Sequence, residues 1–286
     1  MNFASFGPAG NSESFAAKGY KTNKDIPKYI KEFDLDTYEY QCGRGVKIST
    51  ESAKSFGDIA KEYGISLSLH APYYISLSSK ETEKRDNSIN YIVESARAAD
   101  AMGATKIIVH SGSCAGLPRK DALDLACDTL KRAFLALVEL GLSHIHICPE
   151  TMGKINQLGD LDEVMQLCRV NDSFIPCIDF GHLNARTFGK LDSKQKFNEV
   201  IETVENQLGS DRLKVFHSHF SKIEYTLNGG EKKHLTFSDE VYGPTFEPLG
   251  EIIAQKGLTP TIICESAGTQ AEDASQMKKA YFANFK

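Results

Sequence analysis

Eight short runs of the chain alternate apolar and polar residues, the period of a strand with one face in the core. In Ser66–His70, for example, Leu67 and Leu69 face one way and the polar residues face the other. The chain has 286 residues, so each of eight repeating units has about 36 residues, which suits a strand, a helix and two loops. The predicted strands are Phe3–Phe6, Thr37–Gln41, Ser66–His70, Lys106–His110, His144–Glu150, Phe174–Asp179, Leu213–His219 and Thr261–Glu265.

Between these runs, apolar residues recur at the three- and four-residue spacing of a helix. Such series cover 56–63, which Gly64 ends, 130–137 and 197–204. Asp160 followed by Glu163 resembles a capping box that opens a helix through Cys168. Strands that alternate with helices favour a parallel sheet covered on both faces. We therefore predict a (β/α)₈ TIM barrel, with residues 1–286 forming a single domain.

Composition limits the class of protein without naming its activity. Hydrophobic residues make up 41% of the chain, and the net charge is −5. No apolar run approaches the roughly 20 residues that span a bilayer, and Met1–Ser5 lacks the basic start of a signal peptide. Seven cysteines without a CxxC pair indicate a reducing compartment. We expect a cytoplasmic monomer with no membrane and no protein partner.

Most of the predicted strands end in an imidazole or a carboxylate. A single histidine at a strand end is more often a structural group than a ligand, but here the placement recurs, and barrel active sites lie at this rim. Several buried acids on one rim repel one another unless cations lie among them. Imidazole with carboxylate suits zinc, manganese or iron. The predicted metal ligands are His70, His110, Glu150, Asp179, His182, His217, His234 and Glu265.

Cys148 and Cys177 share a strand face with two of these ligands. Thiolate ligation is an alternative, but we expect both to be small buried residues that line the barrel. His144 and His146 are interpreted as residues of the barrel interior or its lower rim.

Six segments resemble the endonuclease IV family, in family order across nearly the whole chain. They are His70-Ala71-Pro72-Tyr73, His110-Ser111-Gly112-Ser113, Pro149-Glu150-Thr151, Cys177-Ile178-Asp179-Phe180-Gly181-His182, Asp211-Arg212-Leu213-Lys214-Val215-Phe216-His217 and Cys264-Glu265-Ser266. The resemblance implies a barrel with a trinuclear zinc centre that cleaves double-stranded DNA 5′ to abasic sites. Two to three Zn²⁺ per chain are expected, with Mn²⁺ or Fe as alternatives.

The resemblance also implies a role for each ligand. The first metal would take His70, His110 and Glu150; the second Glu150, Asp179, His217 and Glu265; the third His182 and His234. Glu150 would bridge two metals, and Glu265 would orient the attacking water, so these two are the expected catalytic residues.

The chain departs from the family after the seventh strand. Lys232 stands where the family has an aspartate ligand, and Glu231 would replace that aspartate only if the loop shifted. His219 shares a face with His217 and competes with it; the preceding match favours His217.

By the same resemblance, Arg44 and Tyr73 are the expected DNA-binding residues on the strand-to-helix loops. Basic residues that would meet phosphates are Arg119, Lys120, Arg186, Lys222, Lys232 and Lys233. Binding should not depend on DNA sequence, because a lesion is recognised by shape and by an extruded nucleotide.

Two other functions stay open at this point. The first is a metal-dependent sugar isomerase or epimerase of the related xylose-isomerase-like barrels, with one metal on Glu150, Asp179, His217 and Glu265. That function leaves the remaining four predicted histidine ligands without a role. The second is a barrel that binds metal or nucleotide without catalysis, against which the intact ligand set argues.

Overall fold

The computed structural model describes residues 3–114 and 116–285, and it contains a nearly closed barrel of eight parallel strands. These are β1 (Ser5–Pro8), β2 (Thr37–Gln41), β3 (Ser66–His70), β4 (Lys106–His110), β5 (His146–Glu150), β6 (Cys177–Asp179), β7 (His217–Phe220) and β10 (Thr261–Cys264). Their order around the barrel is β1-β10-β7-β6-β5-β4-β3-β2. The barrel closes where the Gly10 amide donates to the Glu39 carbonyl, 3.0 Å away. The predicted TIM barrel is confirmed.

Two further strands form an antiparallel hairpin after β7. They are β8 (Lys222–Thr226) and β9 (Gly230–Leu235), and they pair with each other outside the barrel. The sequence pattern did not predict this hairpin, because neither strand buries a regular apolar face.

Helices cover the outside of the barrel. They are α1 (Glu13–Ala17), α2 (Ile26–Glu32), α3 (Thr50–Glu62), α4 (Thr82–Ala101), α5 (Arg119–Glu139), α6 (Leu161–Cys168), α7 (Phe180–Arg186), α8 (Lys194–Leu208), α9 (Ser210–Lys214), α10 (Glu247–Lys256) and α11 (Gln270–Phe282), with a 3₁₀ turn at Asn23–Asp25. The predicted capping box of α6 is present: Asp160 Oδ1 accepts from the Glu163 amide at 2.9 Å, and Glu163 Oε2 accepts from the Asp160 amide at 3.0 Å. Among the described residues, no helix has the length and apolar character needed to cross a membrane.

The outward faces of the strands pack on the helices, and the inward faces form a much smaller interior. Tyr38 and Tyr40 of β2, for example, both contact the Phe56 ring of α3. Among the described residues, a small apolar cluster separate from the main core consists of Ile108, Cys148, Ile175 and Cys177. Cys148 and Cys177 are therefore buried residues that line the barrel, as expected. The remaining inward positions are largely polar, which is unusual for a packed barrel interior. This polarity is expected where a functional site lies at the carboxyl ends of the strands.

Several predicted strand boundaries differ from the observed ones. Predicted Phe3–Phe6 is observed at Ser5–Pro8. Three strands begin later than predicted, at His146, Cys177 and His217, and the last of these also ends one residue later, at Phe220. β10 ends one residue sooner than predicted. Leu213, the predicted start of the seventh strand, lies in the short helix α9. Leu213 is buried in this helix, so its apolar side chain reflects helix packing and not strand pairing. His144 lies before β5, half exposed, and pairs with Asp100, so it is remote from the rim.

Candidate metal centre

Three adjacent strands bring two imidazoles to one carboxylate. The ends of β3, β4 and β5 carry His70, His110 and Glu150, and His110 is the register partner of Glu150. His70 Nε2 lies 3.3 Å and His110 Nε2 lies 3.4 Å from Glu150 Oε2. His70 Nδ1 is 2.8 Å from the Ala71 carbonyl, to which it donates, so its Nε2 is free to accept. The structure therefore brings together the three residues predicted for a first metal.

The next strand contributes Asp179 at the point where β6 becomes α7. Asp179 caps the helix, since its Oδ1 accepts from the His182 amide at 2.7 Å. Its other oxygen, Oδ2, is buried without a hydrogen-bond partner. The nearest nitrogen, His182 Nδ1, is 3.1 Å away, but that N–H is directed to the Thr151 carbonyl at 2.9 Å. A buried carboxylate oxygen without a donor indicates that a cation belongs beside it.

On β7 it is His219, and not His217, that meets this cluster. His219 Nδ1 lies 2.9 Å from Glu150 Oε1 and 3.5 Å from Glu265 Oε1. His217 instead contacts Glu39, deeper in the barrel, at 2.8 Å. This corrects the expectation that His217 joins the cluster. The two side chains share the inward face, but the strand register pairs Asp179 with His219 and Cys177 with His217, so His217 lies one layer lower.

Glu265 follows β10 and closes the cluster from the opposite side. It is largely buried, with an exposed side-chain fraction of 16%, and lies 3.9 Å from His234 Nδ1. Glu150, Asp179, His182 and Glu265 thus offer ligand atoms within 4.8 Å of one another, as do His182, His234 and Glu265.

The β8–β9 hairpin supplies a further acid, Glu231, through a bulge. In the strand register Tyr225 pairs with Glu231 and Glu224 pairs with Lys233, so Lys232 is an extra residue. The bulge changes the alternation of the strand, and Glu231 and His234 consequently face the same side. Glu231 Oε2 lies 3.5 Å from His182 Nε2. Lys232 pairs with Glu224, so its ammonium lies outside the cluster of acids and imidazoles.

Two arginines hold the loop after β5, residues 152–158, against this hairpin. Arg119 donates to the carbonyls of Ile155 and Gln157 at 2.9 and 3.0 Å. Arg186 donates to the Lys154 carbonyl at 2.8 Å. The loop in turn pairs with the hairpin, since the Glu231 amide donates to the Gly153 carbonyl at 3.1 Å.

The six basic residues proposed to meet phosphates are thus already paired. Arg119 and Arg186 bind backbone carbonyls, and Lys222 donates to the Phe237 carbonyl at 3.0 Å. Carboxylates pair with the rest: Lys120 with the exposed Asp124, and Lys232 and Lys233 with the partly buried Glu224. The guanidinium groups of Arg119 and Arg186 hold the loop in place.

These side chains surround a cavity of ≈ 430 Å³ at the carboxyl end of the barrel. Among the described residues, Lys154 is the one lysine or arginine in its wall, and its ammonium takes part in no ion pair. Tyr73 is 57% exposed at the cavity edge, and its ring stacks on that of His110. The exposed Arg44 is nearby, because the Tyr73 amide donates to the Gly43 carbonyl at 3.2 Å. The residues lining the cavity are Gln41, His70, Tyr73, His110, Glu150, Met152, Lys154, Gln157, His182, Glu231, His234 and Glu265.

Burial and mutual charge shift the ionisation of the cluster. Burial by itself raises the pKa of Glu150, but the neighbouring imidazoles of His219, His182 and His70 hold that pKa well below its usual range. Burial lowers the pKa of His110 to about 3, so its ring is neutral and able to bind a metal. Burial raises the pKa of Glu265, and the nearby Glu150 and Asp179 add to that effect.

The donor set fits bound divalent metal. The rim carries four carboxylates and five imidazoles, namely Glu150, Asp179, Glu231, Glu265, His70, His110, His182, His219 and His234. Such mixed nitrogen and oxygen donors are typical of zinc, manganese and iron sites. No lysine or arginine among the described residues lies within this set to balance the acids. The orphaned Asp179 Oδ2 supports the same conclusion.

Sequence reasoning did not select Glu39, and it allowed Glu231 as a ligand only if the loop shifted. Glu39 is a charged residue in the middle of an otherwise tyrosine-rich strand, on the same face as Gln41, which is a usable signal for an inward acid. Glu231 carried no such signal, because its direction depends on the bulge.

Comparison with known proteins gives a consistent result. The sequence model of the xylose isomerase-like TIM barrel family matches residues 27–281. An uncharacterized protein of Methanocaldococcus jannaschii is 32% identical over 254 residues, 88% of this chain and 89% of that one. A probable endonuclease 4 of Thermoplasma acidophilum is 30% identical over 211 residues, 69% of each chain.

Solved structures of similar fold include two kinds of enzyme. A D-tagatose 3-epimerase-like protein superposes with a TM-score of 0.71 at 18% identity, covering 90% of this chain and 91% of that one. Endonuclease IV from Thermus thermophilus superposes with a TM-score of 0.68 at 15% identity, covering 98% of each chain. At these identities the structures establish the shared fold alone.

Proposed function

The chain belongs to the xylose isomerase-like TIM barrel family, and from that premise we propose that it is a metal-dependent endonuclease that cleaves the DNA backbone 5′ to abasic sites. The observation that carries the proposal is the number of ligands. Seven of the nine donors line one cavity, and the other two, Asp179 and His219, lie beside donors that do; one metal ion requires fewer. Relatives named probable endonuclease 4 support the same reaction.

The donors divide into three neighbouring sites for zinc. His70, His110 and Glu150 would hold one ion. Glu150, Asp179, His219 and Glu265 would hold a second, so that Glu150 bridges the two. His182, Glu231 and His234 would hold a third. Ions bound here would lower the pKa of water to about 7 and offset the charge of a phosphodiester.

The protein's own residues then orient the reacting groups. Glu150 is nearly fully buried and reaches imidazoles on both sides, so it sets the spacing within the centre. Glu265 lies at the cavity wall with an oxygen on the cavity side, and would orient the attacking water. The neutral His110 ring completes the outer side of the first site.

The loops around the cavity suit a polyanion. Tyr73 lies at one edge of the cavity and is hydrogen-bonded to Gly43, the residue before Arg44; Tyr73 and Arg44 would enter the duplex at the lesion. Lys154, held on the loop fixed by Arg119 and Arg186, would bind a backbone phosphate opposite them. A neutral sugar carries no negative charge for the Lys154 ammonium to bind, so this residue favours a phosphate-containing substrate.

The test is a gel assay of an abasic duplex with purified protein, with and without a chelator. The wild type should nick the strand 5′ to the lesion, and chelation should stop it. Glu150→Gln should reduce nicking by at least about 10³-fold and lower the metal content, because the bridging charge is lost while the side-chain shape is kept.

The alternative is a sugar epimerase with one metal. Elemental analysis that returns one metal per chain, together with epimerisation of a ketose and no nicking, would replace the nuclease proposal. Nicking by Glu150→Gln at the wild-type rate would refute the assignment of the bridge.

A further inference from the structure

Glu39 is a fully buried acid beneath the cavity, and the proposed metal centre does not use it. It lies in the middle of β2 with no exposed surface, one layer below Gln41, and is the register partner of Ser68. An ionised carboxylate in this position loses its hydration, so its partners must replace it. Among the described residues, its close ionic partners are imidazoles and not lysine or arginine.

Both Glu39 oxygens are held in place. Oε2 accepts from Ser68 Oγ at 2.9 Å and contacts His217 Nε2 at 2.8 Å. Oε1 accepts from Gln41 Nε2 at 3.1 Å and lies 2.9 Å from His219 Nε2. Ser68, His217 and Gln41 therefore fix the carboxylate in its position beside His219.

The two nitrogens of the His219 ring face different neighbours. Nδ1 faces the cluster, 2.9 Å from Glu150 Oε1, and Nε2 faces Glu39. The contact between Nε2 and Glu39 Oε1 is close, at 2.9 Å, but is not aligned as a regular hydrogen bond. A histidine that binds a metal through one nitrogen generally donates its other N–H to a carboxylate or carbonyl, which fixes the tautomer and the ring orientation.

We propose that Glu39 is a positioning residue of the metal centre: it keeps the proton of His219 on Nε2 and directs Nδ1 to the metal. His217 and Ser68 hold Glu39 at the required height in the barrel. This inference rests on the proposed metal centre, but not on DNA as the substrate.

The first test measures metal binding directly. Co²⁺ affinity, from a competition titration, and the Co²⁺ absorption spectrum are compared for wild type, Glu39→Gln and Glu39→Ala. Glu39→Gln should lower the affinity by about 10- to 100-fold and change the spectrum, and Glu39→Ala should do so at least as strongly. Asp273→Asn is the matched control, since it also changes a buried carboxylate, one bonded to Phe237 and Thr269, and should bind Co²⁺ as the wild type does.

The second test needs no variant to fold. In zinc-loaded wild type, nitrogen NMR of the histidine rings should show His219 protonated at Nε2. A His219 ring protonated at Nδ1, or a folded Glu39→Gln with wild-type affinity and spectrum, would overturn the proposal. Wild type that binds Co²⁺ but never nicks DNA would refute the nuclease and leave the role of Glu39 supported, whereas wild type that binds no metal would refute both.

Discussion

At the scale of single residues, two histidines on the same face of β7 lie at different heights along the barrel axis. His217 and His219 are both fully buried and both point inward, but two residues along a strand amount to about 6–7 Å. Burial lowers the pKa of His217 to about 4, so its neutral ring suits a donor to Glu39. His219 has carboxylates at both ring nitrogens. Position along the strand, and not residue type, assigns the two roles.

Replacing each histidine in turn tests this assignment. His219→Asn should remove about one metal ion per chain and abolish nicking. His217→Asn should retain the metal at saturating concentration, with an affinity lowered less than in Glu39→Gln because Ser68 still holds Glu39. It should also destabilise the fold by about 1–3 kcal/mol, because Glu39 Oε2 loses one of its two partners. Elemental analysis and chemical denaturation measure the two effects. Equal metal loss in both variants would contradict the assignment.

At the scale of elements, a hairpin outside the barrel completes the site inside it. The loop after β5 and the hairpin contact closely at Gly153, where an added Cβ would come within 2.6 Å of the Glu231 side chain. The bulge at Lys232 then lets two residues three apart face the same way. The proposed third metal site thus depends on the β-bulge of β9, which is supported by the loop that two arginines hold.

Inserting one alanine between Glu224 and Tyr225 tests the role of the bulge, because the inserted residue gives Lys232 a partner on β8. The insertion should restore regular alternation, so that Glu231 and His234 point to opposite faces, and about one metal ion per chain should be lost. Lys232→Ala keeps the bulge and is the control, with unchanged metal content expected. Elemental analysis measures the metal content, and an insertion variant with full metal content would show that the bulge is dispensable.

At the scale of the whole molecule, acids and imidazoles concentrated at one rim make stability depend on pH and metal. Burial opposes protonation of His182 and His219, but adjacent carboxylates raise both pKa values well above the usual 6.5. A group with a raised folded-state pKa stabilises the fold below its unfolded-state pKa, and this contribution is lost as the pH rises through the folded value. The lowered pKa of Glu150 acts in the opposite sense, adding stability that is lost toward acid.

The metal-free protein should therefore lose thermal stability as the pH rises from about 6.5 to 9. Zinc should reverse this trend, because metal binding requires deprotonated imidazoles and strengthens as the pH rises. Melting curves recorded with chelator and with zinc across this range provide the measurement. A metal-free melting temperature that does not change with pH would show that the rim carries no such protonation.

The sequence by itself determined the barrel fold, the approximate position of each of the eight barrel strands, and most of the polar residues at the rim. These follow from local pattern, because alternation fixes which residues point inward and the order of strands and helices fixes the parallel sheet. The tertiary structure alone decided that His219 and not His217 lies beside Glu150, that Glu231 lies beside His182, that Arg119 and Arg186 support a loop, and that Glu39 contacts His219 from below. Each of these depends on the relative height of neighbouring strands, on a bulge or on a contact between distant segments. A local pattern of residues contains no information about such relations.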